Sequence, residues 1–539
     1  VTQTVDAPEA SVTARSAAAI RARLVRPMPT DRVWGWIGPL LVGVVAAVLR
    51  LVDLGRPNKI IFDETYYAKD AYSQLLFGYS RKFTEDANER ILNGDLDVFL
   101  NEPSFVVHPP VGKFLIGQGI RVFGMDPFGW RIAVALCGIL TVVLVARIGR
   151  RMFRSTLLGC VAGLLLAVDG LSIVMSRTAV LDGILTMFIV AAFGCLLVDR
   201  DSMRAKYADW AEARLARGLT EPGDGPLFWW RPWRLAAGLM LGLACGTKWS
   251  GLYALAVFGL MTVLWEVGAR RAAELQSPVL NSMLRDGPVA FLTMVGTAVV
   301  VYVGSWWGWI FSENGYGRQW ATEHAPSAFG SLFPSWARSL WHYHDDMLRF
   351  HRDLDTPHDY MSKPWEWLYL GRPVSFDYEG YDLGQGGCQV ERCSQAVLAL
   401  GTPPLWWGAL AAILVCLWWW FFRRDWRAGA VLAGFTATWV PWMFFTTSWL
   451  PWFSGTDRTI FYFYAVALAP FLVLAVTFVL GLIIGPPDAS PRRRAIGVAV
   501  AGGYVLIVIA VAAWFYPIHV DQLIPYDDWR ARMWFDSWI

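Results

Sequence analysis

Two adjacent carboxylates, Asp63 and Glu64, follow directly on Ile60-Ile61-Phe62. A carboxylate held against an apolar surface is costly unless it is partnered or used. One use is general base catalysis, in which it takes the proton of a hydroxyl within hydrogen-bond reach. The bland alternative makes Asp63 the cap of a helix beginning Glu64-Thr65-Tyr66. Arg50 and Arg131 flank this pair in the sequence. Their planar guanidinium forks suit a phosphate; each could equally snorkel to a headgroup layer. Arg177 and Asp182 stand five residues apart in SRTAVLDGIL, so they either pair with each other or neutralise a neighbour. Lys248, in GTKWSGLY, reads as an interfacial lysine or as a charge facing a lipid phosphate. Five histidines, His324, His342, His344, His351 and His358, share one polar stretch. The spacing HYHDDMLRFH puts His344 and His351 on one helical face, two turns apart. No HExxH or other diagnostic ligand spacing accompanies them, so no metal is expected. The Trp and Tyr residues of that stretch fit a carbohydrate- or peptide-binding face, or an interfacial anchor.

The elements that must hold these residues are membrane-spanning helices. Of 539 residues 55% are hydrophobic and only 17% charged, below the ~25% of an ordinary soluble domain. Mean hydropathy is +0.38. The apolar residues come in runs of roughly 20, the length that crosses ~30 Å of hydrocarbon. Thirty-one Trp and 18 Tyr suit a protein with two membrane interfaces. Eleven spans are expected, at 34–54, 128–147, 155–174, 178–198, 233–248, 250–267, 288–310, 404–422, 428–447, 459–484 and 495–517. The fifth and sixth could be read as one long helix. Basic clusters argue for a hairpin instead: Arg21, Arg23 and Arg26, then Arg150, Arg151 and Arg154, Arg204 and Lys206, Arg270 and Arg271, Arg423 and Arg424, and Arg492, Arg493 and Arg494 all fall on one side only if 233–267 turns back. Taking that side as cytoplasmic leaves the N-terminus inside and the C-terminus outside.

This gives a cytoplasmic tail over 1–33, expected to be disordered, and a transmembrane module over 34–310 with an extracytoplasmic loop at 55–127. A second long extracytoplasmic loop covers 311–402, a C-terminal transmembrane module 403–517, and an extracytoplasmic tail 518–539. Loops this long are uncommon without a function. No Walker A loop is present, which speaks against an ATP-driven pump. A net charge of +3, with basic residues in short clusters between apolar runs, speaks against a nucleic-acid partner. Cys137, Cys160, Cys195, Cys245 and Cys416 lie in apolar runs and read as packing residues. Cys388 and Cys393 lie in a polar loop outside the cytoplasm, where they either pair or stay free.

Seven blocks carry a resemblance when taken in order: LRLVDLGRPNKIIFDETYYAKDA (49–71), HPPVGKFLIGQG (108–119), GWRIAVALCG (129–138), SRTAVLDGILTMF (176–188), GLACGTKWSGLY (242–253), MLRFHRDL with HDYMSKPWEW (347–367), and GTDRTIFYFYAVALAP (455–470). The chain resembles the bacterial, actinobacterial-type protein O-mannosyltransferases, relatives of the eukaryotic dolichyl-phosphate-mannose–protein mannosyltransferases. The resemblance implies an all-α integral membrane protein of the GT-C type, with its active site at the extracytoplasmic face of the plasma membrane. It implies a lipid-linked donor, polyprenyl-phosphate-mannose, no other cofactor, and exported polypeptides as acceptors, taken up during translocation or after it. By the same resemblance Asp63 and Glu64 are catalytic and Arg131 and Arg50 match the family's arginines; Arg131, with help from Arg50 or Lys248, is expected to bind the donor phosphate. His108, Arg177, Asp182, His351 and Arg458 stand as supporting residues. The second long loop has no room for the soluble sugar-binding domain of the eukaryotic enzymes. A lipid or cell-wall glycan acceptor within the same fold remains open, as does a secondary transporter, although the candidate charges cluster at the outer interface rather than at mid-bilayer.

Overall fold

The apolar runs fold largely as helices, but fewer than the eleven expected spans are single helices long and apolar enough to cross a membrane. The computed structural model describes residues 9–219, 221, 223–444, 458–486 and 488–539; the last residues of the expected span 428–447 lie outside these. Among the described residues seven helices are long and apolar enough to cross a membrane: Trp34–Leu51, Pro127–Phe153, Leu181–Ala216, Gly251–Ala272, Pro278–Ser305, Pro403–Arg423 and Pro491–His519. An eighth follows if Thr156–Ala167 and Gly170–Arg177, bent by 63°, count as one span. Pro232–Thr247, Trp426–Met443 and Ala469–Ile484 are shorter or less apolar. The chain is a multi-pass membrane protein.

Local chemistry sets the breaks. Asp126 accepts from the Gly129 amide at 2.7 Å and Pro127 opens the long helix behind it. Asp169 makes the bend between Thr156–Ala167 and Gly170–Arg177. Its Oδ2 accepts from the Ser172 amide at 3.0 Å, and its Oδ1 from the Thr402 amide and the Trp406 indole at 3.1 and 2.8 Å. The stretch 233–267 is a hairpin. It breaks at Lys248, and Arg234 near its start meets Glu266 near its end at 3.0 Å.

Both long loops are folded, and among the described residues strands enter only there and in the C-terminal tail. The first loop holds helix Glu64–Phe77, an antiparallel pair Arg81–Phe83 with Phe99–Pro103, and helix Val111–Phe123. The second holds helix Ser335–Asp353 and an antiparallel pair Val374–Asp382 with Arg392–Ala399. Cys388 and Cys393 form a disulfide at the turn of that pair. The C-terminal tail docks here, adding Ile524–Pro525 as a third strand.

One expectation is corrected. Residues 1–8 lie outside the described residues, but Glu9–Leu24 is a helix, not a disordered tail. Ile20 and Leu24 bury themselves against Tyr207, Ala208 and Ala269, and that apolar contact is what the composition concealed.

Candidate active site

Asp63 stands at the start of helix Glu64–Phe77 but does not cap it: its side chain makes no cap hydrogen bond. Among the described residues the carboxylate has no hydrogen-bond partner, which removes the capping alternative. Its placement is enforced from both sides. Phe62 before it adopts φ 47°, a left-handed conformation costly for a bulky residue. The Phe62 ring is held by stacking on Phe376 at 4.2 Å and by an edge contact with Phe463 at 5.3 Å. Glu64 after it is fully buried and chelates Arg131, with both contacts at 2.8 Å. The remaining Glu64 lone pairs take the Ile61 and Ala179 amides at 3.1 and 2.9 Å.

Arg131 is saturated by this arrangement. Beyond Glu64 it donates to the Leu54, Pro57 and Lys59 carbonyls at 3.3, 2.9 and 3.0 Å. A guanidinium has five N–H donors, so none is left for a phosphate. Arg50 is saturated in the same way, by Ser176, Ser172 and the Ala46, Leu166 and Ala167 carbonyls, all within 3.4 Å. The Ala167 carbonyl is one of the acceptors left open at the end of helix Thr156–Ala167. Arg177 donates to the Arg50, Val52 and Asp53 carbonyls, closing the end of the first span. The donors of both forks are engaged within the protein, and Arg177 donates to backbone carbonyls rather than to Asp182.

The cation whose charge reaches Asp63 is Lys248. Lys248, at the hairpin break, bonds both oxygens of Asp182 at 2.9 and 3.0 Å and lies 4.1 Å from the Tyr464 ring centre. Arg458 donates to His351 Nδ1 at 3.3 Å. His351 Nε2 in turn donates to the Val107 carbonyl at 2.8 Å, and its ring stacks on His108 at 5.2 Å. Lys113 Nζ holds the His108 carbonyl at 2.9 Å. Among the described residues no three His, Cys, Asp or Glu side chains gather as metal ligands.

The electrostatics suit proton abstraction near an anion. Burial pushes the Asp63 carboxyl up to about 6, with Lys248 opposing the rise and Asp182 adding to it. Burial and the Arg458 charge push His351 down to about 4, so it is neutral and its tautomer is fixed by the Val107 carbonyl. Burial and the Lys248 charge hold His108 well below its ordinary range. Burial works against the Lys248 charge, but Asp182 and Tyr464 keep it above the usual lysine range. A cavity of about 500 Å³ runs from His108 and Lys113 to Cys137, Met187, Phe188 and Leu243 on the helices below, and its lining is largely apolar.

Over 522 residues the chain is 39% identical to the polyprenol-phosphate-mannose–protein mannosyltransferase of Mycolicibacterium smegmatis (strain MKD8), covering 95% of this chain and 94% of that protein. The chain belongs to this mannosyltransferase family. The enzyme of the same name from Corynebacterium glutamicum is 32% identical over 510 residues, 92% of each chain. Residues 107–219 match the family described as dolichyl-phosphate-mannose–protein mannosyltransferase, and residues 336–538 the C-terminal four-transmembrane region of protein O-mannosyltransferase. In structure the chain resembles the S. cerevisiae protein O-mannosyltransferase Pmt1–Pmt2 complex bound to the sugar donor. The TM-score is 0.68 at 14% identity, over 97% of this chain and 94% of that one, so the GT-C fold is shared.

In this mannosyltransferase the ten candidate residues divide into two groups. Asp63, Lys248, Asp182, His108, His351 and Arg458 are linked electrostatically in one cluster that includes Tyr464. Glu64, Arg131, Arg50 and Arg177 form the buried frame behind it. Three residues at the site escaped the sequence reading. Tyr464 lies under Lys248. Trp249 donates to Tyr302 at 2.9 Å and packs its ring against both His344 and His351 at 5.8 Å. Tyr302 contacts His344 Nε2 at 2.6 Å. The signal for Trp249 was present in GTKWSGLY, where it follows directly on Lys248, and that for Tyr464 in the aromatic run IFYFYAV after Arg458.

Proposed function

We propose that the chain transfers mannose from polyprenyl-phosphate-mannose to Ser or Thr hydroxyls of exported polypeptides at the extracytoplasmic face of the plasma membrane, with Asp63 as the general base. The observation that carries this is the Asp63 carboxylate: pinned by Phe62 and Glu64, without a hydrogen-bond partner among the described residues, and within reach of the Lys248 charge. The acceptor oxygen attacks the anomeric carbon as Asp63 takes its proton. A single displacement inverts a β-linked donor to an α-mannoside.

The leaving group is a polyprenyl phosphate, whose developing charge needs preorganised partners. Lys248 and Arg458 fill that role better than Arg131 and Arg50, whose donors are all engaged. His351 orients Arg458, and its Nε2 is committed to the Val107 carbonyl. Asp182 holds Lys248 in place. Glu64 and Arg131 position Asp63 rather than touch substrate. The apolar cavity reaching from His108 to Leu243 suits the prenyl chain. The N-terminus then lies in the cytoplasm and the C-terminus outside, following the basic clusters.

The test is transfer of labelled mannose from polyprenyl-phosphate-mannose to a Thr-rich peptide by the reconstituted protein. Loss of transfer in a folded Asp63→Asn variant supports the base assignment. Mannose on lipid or glycan but not on peptide moves the acceptor class.

A further inference from the structure

At the end of the bundle opposite Asp63 lies a second cavity, of about 390 Å³, in which Arg23, Arg26, Arg154, Arg200, Arg204 and Arg427 converge. It opens where helices Pro127–Phe153, Leu181–Ala216 and Trp426–Met443 meet the segment after Glu9–Leu24. Helix Pro127–Phe153 carries Arg131 near one end and meets this basin at the other. At ~1.5 Å per residue the basin is roughly 33 Å from Arg131, across the thickness of a hydrocarbon layer.

Carboxylates do not balance these charges. Asp201 is shared among Arg151, Arg154 and Arg200, at 2.8, 3.0 and 3.3 Å. Arg427 pairs with Asp425 at 2.6 Å, and Arg23 with Glu274 at 2.5 Å. Arg204 is held by neutral acceptors, the Leu24 and Arg23 carbonyls, at 2.9 and 2.8 Å. The Arg200 side chain is only 8% exposed, yet among the described residues its Nε donor has no acceptor. Its guanidinium lies 3.5 Å from the Trp426 ring centre, which fixes the direction of the fork. A buried charged donor without an acceptor is costly, and a preorganised guanidinium of this kind suits a phosphate.

An apolar wall adjoins the charges. Helix Pro403–Arg423 ends in Trp418, Trp420, Phe421 and Phe422, all exposed. Trp419 of the same run lines a neighbouring cavity of about 400 Å³ together with Arg423 and Arg424, and Arg26 and Trp426 line both cavities. Basic pocket and aromatic wall at one membrane interface fit a ligand with an anionic head and apolar chains. We propose that this basin binds the phosphate headgroup of an anionic phospholipid, with the acyl chains along the aromatic end of helix Pro403–Arg423. A free phosphate offers the same anion but nothing for that wall.

The test is native mass spectrometry of the purified full chain titrated with phosphatidylglycerol, phosphatidylcholine or glycerol 3-phosphate. The wild type is expected to retain phosphatidylglycerol at least tenfold more tightly than phosphatidylcholine. Arg26→Gln should weaken it about fivefold, the effect of one basic residue near an anionic headgroup. Arg200→Gln should weaken it further. Arg26 is exposed and makes no hydrogen bond or ion pair among the described residues, so its variant keeps the test valid even if Arg200→Gln fails to fold. Equal retention of the two lipids, or full phosphatidylglycerol preference in Arg26→Gln, overturns the proposal. Glycerol 3-phosphate bound as tightly as phosphatidylglycerol makes the ligand a soluble anion and overturns it too.

Discussion

Asp63→Asn and Glu64→Gln change neighbouring carboxylates by the same chemistry, yet the structure predicts effects of opposite kind. Glu64 is fully buried and faces Arg131 through two contacts of 2.8 Å. Charges ~4 Å apart at an effective dielectric near 20 attract by about 4 kcal/mol. Breaking a buried pair from one side costs about 3–5 kcal/mol, because the partner charge is left uncompensated. The new amide must also turn its NH₂ toward Arg131 and one backbone amide, that of Ala179 or of Ile61, all of them donors. Against a typical total stability of about 5–15 kcal/mol this loss is large. Asp63 has no comparable partner, and burial disfavours its charge. Asparagine there removes a disfavoured charge, so stability holds or rises. Activity falls by about 10²–10⁴, the usual contribution of a general base. The assay is thermal unfolding in detergent, followed by tryptophan fluorescence, alongside mannose transfer by the same preparations. The expected result is an inactive, stable Asp63→Asn and a Glu64→Gln that unfolds well below wild type. Glu64→Gln unfolding with wild type, while Asp63→Asn is destabilised, refutes the division of labour.

The pH profile should report Asp63. Its carboxyl is raised to about 6, so the basic form is present above that pH and lost below it; transfer should decline as pH falls through 6, and a flat profile from 5 to 7 contradicts the assignment. Lys248→Met should slow transfer by roughly 10²–10³, as loss of a donor to a developing anion does. It also strands Asp182, so Lys248→Met with Asp182→Asn should recover stability but not activity, as unfolding and rate measured together will show. Replacing both Cys388 and Cys393 with Ser should cost about 2 kcal/mol, the constraint of so short a loop. That loss should appear as a lower unfolding temperature with the transfer rate kept.

The spans were legible because ~20-residue apolar runs have few other solutions in a membrane. The hairpin at 233–267 was legible from charge: the positive clusters admit only one threading. The carboxylate pair was legible as a site but its division of labour was not. Adjacent side chains on one turn point in different directions, and only the fold shows that Glu64 meets Arg131 while Asp63 makes no hydrogen bond among the described residues. Arg50 and Arg131 looked like phosphate ligands because an arginine beside a membrane surface offers five donors; whether backbone carbonyls consume them depends on bends and turns such as those at Leu54, Pro57 and Ala167. The Lys248–Asp182 pair joins segments 66 residues apart, and Arg458 with His351 joins segments 107 apart. Long-range pairings of that kind leave no trace in local spacing.

The most direct test of the account is the reaction itself. Reconstituted protein is supplied with polyprenyl-phosphate-β-mannose and a Thr-rich peptide, and the anomeric configuration of the product is read by NMR beside Asp63→Asn. The account predicts α-mannosyl threonine from wild type and none from the folded variant. A β-linked product, or unchanged transfer by Asp63→Asn, contradicts it.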